Sequence, residues 1–256
     1  MSRPLPHRAA IDDLRRLLPL LEDGPAVRAN LPFGIPAIDN HLPQGGLPLG
    51  ALHEVRAMDF LALPAAFGFS LAMLGRAHHR KPLILIAGRS LAEHGRVYYH
   101  GLPAFGLDPE RLIWVAPRDS MQSLWAMEAS LRSGVPAAVI AVIADELRLH
   151  DSQRLQLAAK TAGIPLVLLS TRKAARSNVA VTRWAIDAAP ARRDRFGLMT
   201  QARWRIRLER CRNGRPGEWL VEWNHVAYRF RLAAALADSA LPESAGDSTA
   251  AWRLTG

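Results

Sequence analysis

The chain of 256 residues contains one cysteine, Cys211. An internal disulfide and a cysteine-built zinc cage are therefore excluded, and the usage suits a reducing compartment. Lysine is missing from Met1 to Arg80. A glycine-rich phosphate loop ending in Gly-Lys-Ser/Thr is thus absent from the first third of the chain, where backbone amides and one lysine would otherwise hold phosphates. No apolar run reaches the roughly 18 residues of a membrane span. Residues 1–30 lack the apolar core of a signal peptide and carry Asp12, Asp13, Arg15 and Arg16. The expectation is a soluble protein of the cytoplasm with no membrane contact. No Gly-x-Ser-x-Gly elbow exists, and Cys211, in a basic stretch, reads as incidental rather than nucleophilic. His78, His79, His94 and His100 have no His-x-x-x-His spacing with acidic support, so no metal site is expected.

What is present begins with a 49% hydrophobic content, ample for a buried core. Net charge is +10, and it is unevenly placed: residues 171–231 hold 15 basic and 5 acidic side chains, while residues 1–170 hold 17 and 15. A field concentrated in one segment favours an acidic partner, nucleic acid before others.

Along the chain, Ile11, Leu14, Leu17, Leu18 and Leu21 fall on one face of an amphipathic N-terminal helix, with Pro19 as a kink or limit. Gly45-Gly46-Leu47-Pro48-Leu49-Gly50 is a punctuated turn that feeds a strand at Ala51-Leu52-His53-Glu54-Val55. A helix over Ala65 to His79 follows, then strands at Pro82 to Ala87, Leu112 to Val115, Ala137 to Ala144 and Leu166 to Leu169. Helices over Ser90 to Tyr99, Ser120 to Ser133 and Gln153 to Ala162 alternate with them. Continuous apolar strands alternating with helices predict a mainly parallel sheet covered on both faces. A strand is predicted over Val179 to Ile186, a polar connection over Ala188 to Thr200, and a hairpin of Arg203 to Leu208 with Glu218 to Trp223. In that hairpin Trp204, Ile206 and Leu208 share one face, and Arg203, Arg205 and Arg207 the other. Residues 237–256 read as a loose tail.

Three groups of residues, taken in order, resemble the RecA core and, more closely, the ImuA family of damage-inducible mutagenesis proteins, over about residues 28–231. The first is Phe33-Gly34-Ile35-Pro36-Ala37-Ile38-Asp39 with the glycine turn and His53-Glu54-Val55. The second is Arg154-Leu155-Gln156-Leu157-Ala158-Ala159 with Gly163-Ile164-Pro165. The third is Arg203-Trp204-Arg205 with Arg212-Asn213-Gly214-Arg215-Pro216-Gly217-Glu218-Trp219. The resemblance implies an α/β fold with a RecA-like, P-loop-NTPase-type core, a degenerate phosphate loop and a C-terminal antiparallel hairpin. The implied divisions are an N-terminal helix and linker (1–30), the core (31–186), a basic hairpin region (187–231) and a flexible tail (232–256).

Measured against RecA proteins, the catalytic parts are displaced or lost. Ala87-Gly88-Arg89 stands where a RecA-type strand would end Asp-Ala-Glu, and arginine stays protonated and cannot act as a general base. The apolar strand Val139 to Val142 reaches its first acids only at Asp145 and Glu146, and Ser170-Thr171 occupies the position of the γ-phosphate-sensing glutamine. Asp145-Glu146 reads as a polar strand end, with Arg89 as a pairing partner. Phosphoryl transfer needs its parts together, so no catalytic residue, cofactor or metal is expected, and the chain reads as a non-enzyme. The resemblance implies an accessory role in translesion synthesis within the SOS response, nucleoid-associated. Its partners would be an ImuB-type Y-family-like polymerase relative, an error-prone replicative-type DNA polymerase, and also RecA or DNA. The expected nucleic-acid residues are Arg172, Lys173, Arg176, Arg203, Arg205 and Arg207, and the expected partner face is the Ile11–Leu21 helix. The RecA loop that should follow Asp145 is cut to Leu147-Arg148-Leu149-His150-Asp151. Trp184, Trp204, Trp219 and Trp223 sit on alternating strand positions facing apolar neighbours and read as core rather than as stacking platforms. A degenerate DNA-dependent ATPase and a regulator of RecA filaments are the competing readings.

Overall fold

The computed structural model describes residues 30–77, 81–88, 97–143, 147–171 and 178–233. The Ile11–Leu21 helix, His78, His79, Arg89, His94, Asp145, Glu146, Arg172, Lys173, Arg176 and the tail from residue 234 lie outside them.

Residues Asn30–Leu31 (β1) and Leu47–Pro48 (β2) form a small antiparallel pair, and between them Pro36–Asp39 makes one helical turn (α1). The Asp39 carboxylate fixes that turn by accepting the amide N–H groups of Phe33, Gly34 and Ile35 at 2.7–3.0 Å. The main sheet then assembles from Leu52–Ala57 (β3), Leu83–Ala87 (β4), Leu112–Val115 (β5), Ala138–Val142 (β6), Leu166–Thr171 (β7), Thr182–Arg193 (β8), Met199–Cys211 (β9), Gly217–Asn224 (β10) and Arg229–Leu232 (β11). Its order is β11-β10-β9-β8-β3-β7-β6-β4-β5. All pairings from β8 to β5 are parallel, and those from β8 to β11 are antiparallel. The β8–β3 pairing joins the two halves into one sheet.

Helix Leu63–Leu74 (α2) and the 33–42 segment pack on one face. Helices Ser120–Arg132 (α3) and Leu149–Ala162 (α4) pack on the other. Strands β3, β6 and β7 are buried from both sides, which is why β6 and the Leu166–Leu169 part of β7 read as unbroken apolar runs, while β3 buries His53 and Glu54 with polar partners. Under α2 the core is aromatic: Phe33 lies 5.4 Å from both Trp184 and Phe230, and Trp223 lies 5.0 Å from Phe230, ring centre to ring centre. Trp184, Trp204 and Trp223 are buried here and Trp219 packs at the edge, so the tryptophans are core.

The first and third groups of residues that carry the family resemblance meet as packing devices. His53, fully buried, joins a chain of polar contacts. The Trp184 indole N–H donates to Thr182 Oγ1 (3.0 Å), whose hydroxyl reaches His53 Nδ1 (2.8 Å). His53 Nε2–H donates to the Pro48 carbonyl (2.8 Å), since a carbonyl oxygen only accepts. Burial pushes the imidazole down to about 4, only partly opposed by its bond to Pro48. The Arg212–Gly217 turn docks onto the first segment. Arg215 N–H donates to the His41 carbonyl (2.9 Å), and His41 Nδ1 lies 2.9 Å from the Pro216 carbonyl oxygen. A Cβ at Gly214 would sit 2.3 Å from the His41 carbonyl oxygen, and one at Gly217 would sit 2.4 Å from the Trp219 ring. Only glycine permits these approaches.

Two expectations are corrected. The stretch from Ala188 to Thr200 is not a connection: it is the far half of a long hairpin, with β8 running to Arg193 and β9 starting at Met199. Residues beyond Ile186 pair with β9 alone, so neither face is buried and no apolar alternation marks the strand. Pro190, which cannot donate to a ladder, falls at a register irregularity between Ala189 and Arg192. Residues Tyr99–Phe105, beyond the helix expected to end at Tyr99, form a 3-10 helix.

Candidate functional site

In parallel α/β sheets ligands bind at the carboxyl ends of the strands. Here that edge holds the turn after β3, the ends of β4, β6 and β7, and the outgoing half of β8.

The turn after β3 is Met58-Asp59-Phe60-Leu61-Ala62, leading directly into α2. A phosphate cradle requires several free amide N–H groups at the helix start, plus its positive dipole end. In this turn the Ala62 and Leu63 amides at the helix start are occupied. Asp59 Oδ1 accepts the Ala62 N–H at 2.7 Å, and the Leu63 N–H donates to the Phe60 carbonyl at 3.3 Å. Pro64 has no N–H at all. The Asp59 carboxylate also places a fixed negative charge where a phosphate would sit, stabilising the helix end and repelling a second anion. The β6 strand is entirely apolar, all five residues buried, and presents no carboxylate. At the end of β7, Ser170 is buried and its hydroxyl has no hydrogen-bond partner among the described residues. No cluster of three metal-ligating side chains occurs among the described residues. Burial raises the Cys211 thiol to about 12, which leaves it protonated and unreactive at neutral pH.

The charged residues of the sheet's C-terminal half lie on the face opposite α2, where no helix of the described residues covers β8 to β11. Much of this charge is matched. Glu54, 2% exposed, takes Arg183 Nε at 2.5 Å and Asn178 Nδ2 at 3.2 Å. Glu209 accepts from Arg56 and from Arg207, both at 3.1 Å. Arg203, Arg205 and Arg207 do share one face, but their circumstances differ. Arg203 is largely buried against Glu222 with both Nε and Nη2 bonded (3.2 and 3.1 Å). Arg207 is exposed and bonded to Glu209, with Met58 Sδ 3.9 Å away. Arg205 is exposed with no side-chain partner among the described residues. The sheet face is thus closer to charge balance than the composition suggests.

Residues overlooked by sequence reasoning lie at the end of the β8–β9 hairpin. Arg192, Arg193 and Arg195 surround a turn in which Asp194 Oδ1 accepts the N–H groups of Phe196 (2.8 Å) and Leu198 (3.0 Å), with Gly197 at φ +78°. The Asp-x-x-Gly spacing at 194–197 was the available turn signal.

A nine-stranded sheet of this order, with a strand–turn–helix where the phosphate loop belongs, defines a RecA-like core in which the Asp59 carboxylate caps the helix after the first core strand. No family model matches the chain. It is 36% identical over 228 residues to Protein ImuA of Caulobacter vibrioides (strain NA1000 / CB15N), an alignment covering 81% of this chain and 90% of the relative. The same figures hold for Protein ImuA of strain ATCC 19089 / CIP 103742 / CB 15. The chain belongs to the ImuA family. No helix among the described residues is long and apolar enough to cross a membrane.

Proposed function

We propose that this chain is a non-catalytic RecA-like accessory factor of damage-induced mutagenesis, acting in translesion synthesis. It would engage an ImuB-type Y-family-like polymerase relative and an error-prone replicative-type polymerase, and would meet RecA or DNA as well. Family membership supports the place in damage-induced mutagenesis. The observation that carries the non-catalytic part is the Asp59 carboxylate bonded to the Ala62 amide, ahead of a proline that supplies no N–H. A helix start so occupied is a poor anion site. The arginine-rich C-terminal region, with Arg205 unmatched and Arg172, Lys173 and Arg176 nearby in sequence, is the proposed DNA contact. The Ile11–Leu21 helix is the proposed partner face.

The test is genetic. Deleting the gene in its own host should remove most ultraviolet-induced mutations, and restoring the wild-type chain should recover them. Asp59→Asn should recover them equally, because no nucleotide chemistry depends on that turn. An undiminished mutation frequency in the deletion strain would contradict the role. Failure of Asp59→Asn to complement, with normal protein levels, would contradict its non-catalytic form.

A further inference from the structure

We propose that the free end of the β8–β9 hairpin is a single-stranded polynucleotide contact, in which Arg192 and Arg195 meet backbone phosphates and Phe196 stacks on a base. The inference rests on the DNA-contact part of the function proposed above and moves the principal contact from the sheet face to the arm.

The last sheet neighbours of this hairpin are Ile186, which pairs with β3, and Arg203, which pairs with Glu222 of β10. Past these points β8 and β9 have only each other. Ala189 lies opposite Arg203, so at about 3.3 Å per residue the four residues from Pro190 to Arg193 extend roughly 13 Å beyond the sheet. Because β8 runs parallel to β3, the arm leaves from the carboxyl edge of the sheet.

The arm's end combines cationic and apolar exposure. Phe196, Leu198 and Met199 are 71%, 65% and 72% exposed. The Arg195 guanidinium lies 4.7 Å from the centre of the Phe196 ring, over one face. Such a cation–aromatic pair beside a phosphate-binding charge is the arrangement that single-strand binding uses, since every base offers a π-face. The end's one acid, Asp194, spends Oδ1 on two backbone N–H groups and stands alone against Arg192, Arg193 and Arg195, so the end stays cationic. Arg193 Nη1 donates to the Gly197 carbonyl at 2.6 Å, so the turn is held in shape before any ligand arrives. Arg192 and Arg195 make no hydrogen bond or ion pair to another described side chain. An acidic or apolar protein surface is the competing occupant. Three arginines within four positions on a two-strand finger match a phosphate chain better than they match a broad protein interface.

The experiment is fluorescence anisotropy on the full chain with a labelled 30-nucleotide mixed-sequence strand and its duplex, over a series of salt concentrations. Compared are wild type, Arg192→Ala/Arg195→Ala, Phe196→Ala, and Arg118→Ala/Arg132→Ala as a charge-matched control away from the arm. Arg193 is kept so that the turn stays braced. Arg192→Ala/Arg195→Ala should weaken single-strand binding at least tenfold and lower the slope of log K against log salt by about 1.4, two phosphate contacts at roughly 0.7 each. Phe196→Ala should weaken the single strand about tenfold and the duplex much less. The control should stay within threefold of wild type, and thermal midpoints should not change. If wild type binds and Arg192→Ala/Arg195→Ala binds equally well, the arm assignment is overturned while the DNA part of the proposed function stands. Equal weakening of strand and duplex by Phe196→Ala overturns the stacking role. If wild type binds neither, both the arm assignment and the DNA contact fail, and the mutagenesis role is judged by the genetic test alone.

Discussion

Replacing Arg183 with methionine is expected to cost about 3–5 kcal/mol of folding stability. Glu54 is almost fully buried, and its carboxylate rests on Arg183 Nε and the Asn178 amide. Methionine keeps the packing of the arginine stem but removes the charge. A buried carboxylate with a single neutral partner is far worse than an exposed one, because its lost hydration is no longer offset. The pair itself need not stabilise the fold. Glu54→Leu/Arg183→Met should therefore fall within about 2 kcal/mol of wild type, since replacing both ions by apolar side chains removes the desolvation penalty together with the attraction. Denaturant unfolding of the two single variants and the double variant gives the coupling directly. An Arg183→Met loss below about 1 kcal/mol, or a double variant no better than the single one, would show that the pair is not the clasp between β3 and β8 described here.

The second large effect depends on pH. His53 in the folded chain is pushed down to about 4 by burial, against 6.5 when unfolded. Between those values the unfolded state binds a proton that the folded state refuses. The imidazole's contribution is therefore intact above about pH 6.5. It drains away at roughly 1.4 kcal/mol per pH unit as pH falls, reaching about 3 kcal/mol near pH 4. Unfolding free energies of wild type and His53→Gln, measured between pH 7.5 and 4.5, isolate this contribution from the other titrating groups. The wild-type curve should fall more steeply than that of the variant, and the gap between them should narrow at the acid end. Parallel curves would mean that burial does not hold His53 neutral in the folded chain.

Both predictions concern His53-Glu54, two residues of a motif that leads to a phosphate loop in RecA-type proteins. In this chain they tie β3 to β8 and to the Pro48 turn, a structural use that stands without any nucleotide. The same holds for the Arg212–Gly217 turn, whose glycines are required by the approach of His41 and Trp219. Such motifs can outlast a catalytic site because the sheet depends on them.

Which parts of this architecture were legible in the sequence follows from burial. Strands covered on both faces, such as Ala138–Val142, show as apolar runs. Trp204, Ile206 and Leu208 show as strict alternation because one face of β9 meets the aromatic core. The arm was illegible for the complementary reason: Asp187 to Arg193 bury neither face, and a strand without a buried face has the composition of a loop. The loss of the phosphate loop could be read from the missing lysine, but the Asp59 cap at the start of the helix could not. Asp59 is an ordinary exposed acid until its bond to the Ala62 amide is seen. The C-terminal arginines looked like one basic face. In the fold, Glu222 across the ladder pairs with Arg203 and Glu209, two residues along β9, pairs with Arg207, which leaves Arg205 as the unmatched member of that set.

The central claim is that a RecA-like frame has been kept while its nucleotide site has been closed from within. Equilibrium titration of the full chain with a fluorescent ATP analogue and magnesium, with and without single-stranded DNA, tests it most directly. The account predicts no saturable binding up to about 1 mM nucleotide, a free energy weaker than about −4 kcal/mol, and no phosphate release above background. Micromolar binding displaced by unlabelled ATP, accompanied by DNA-stimulated phosphate release, would contradict it.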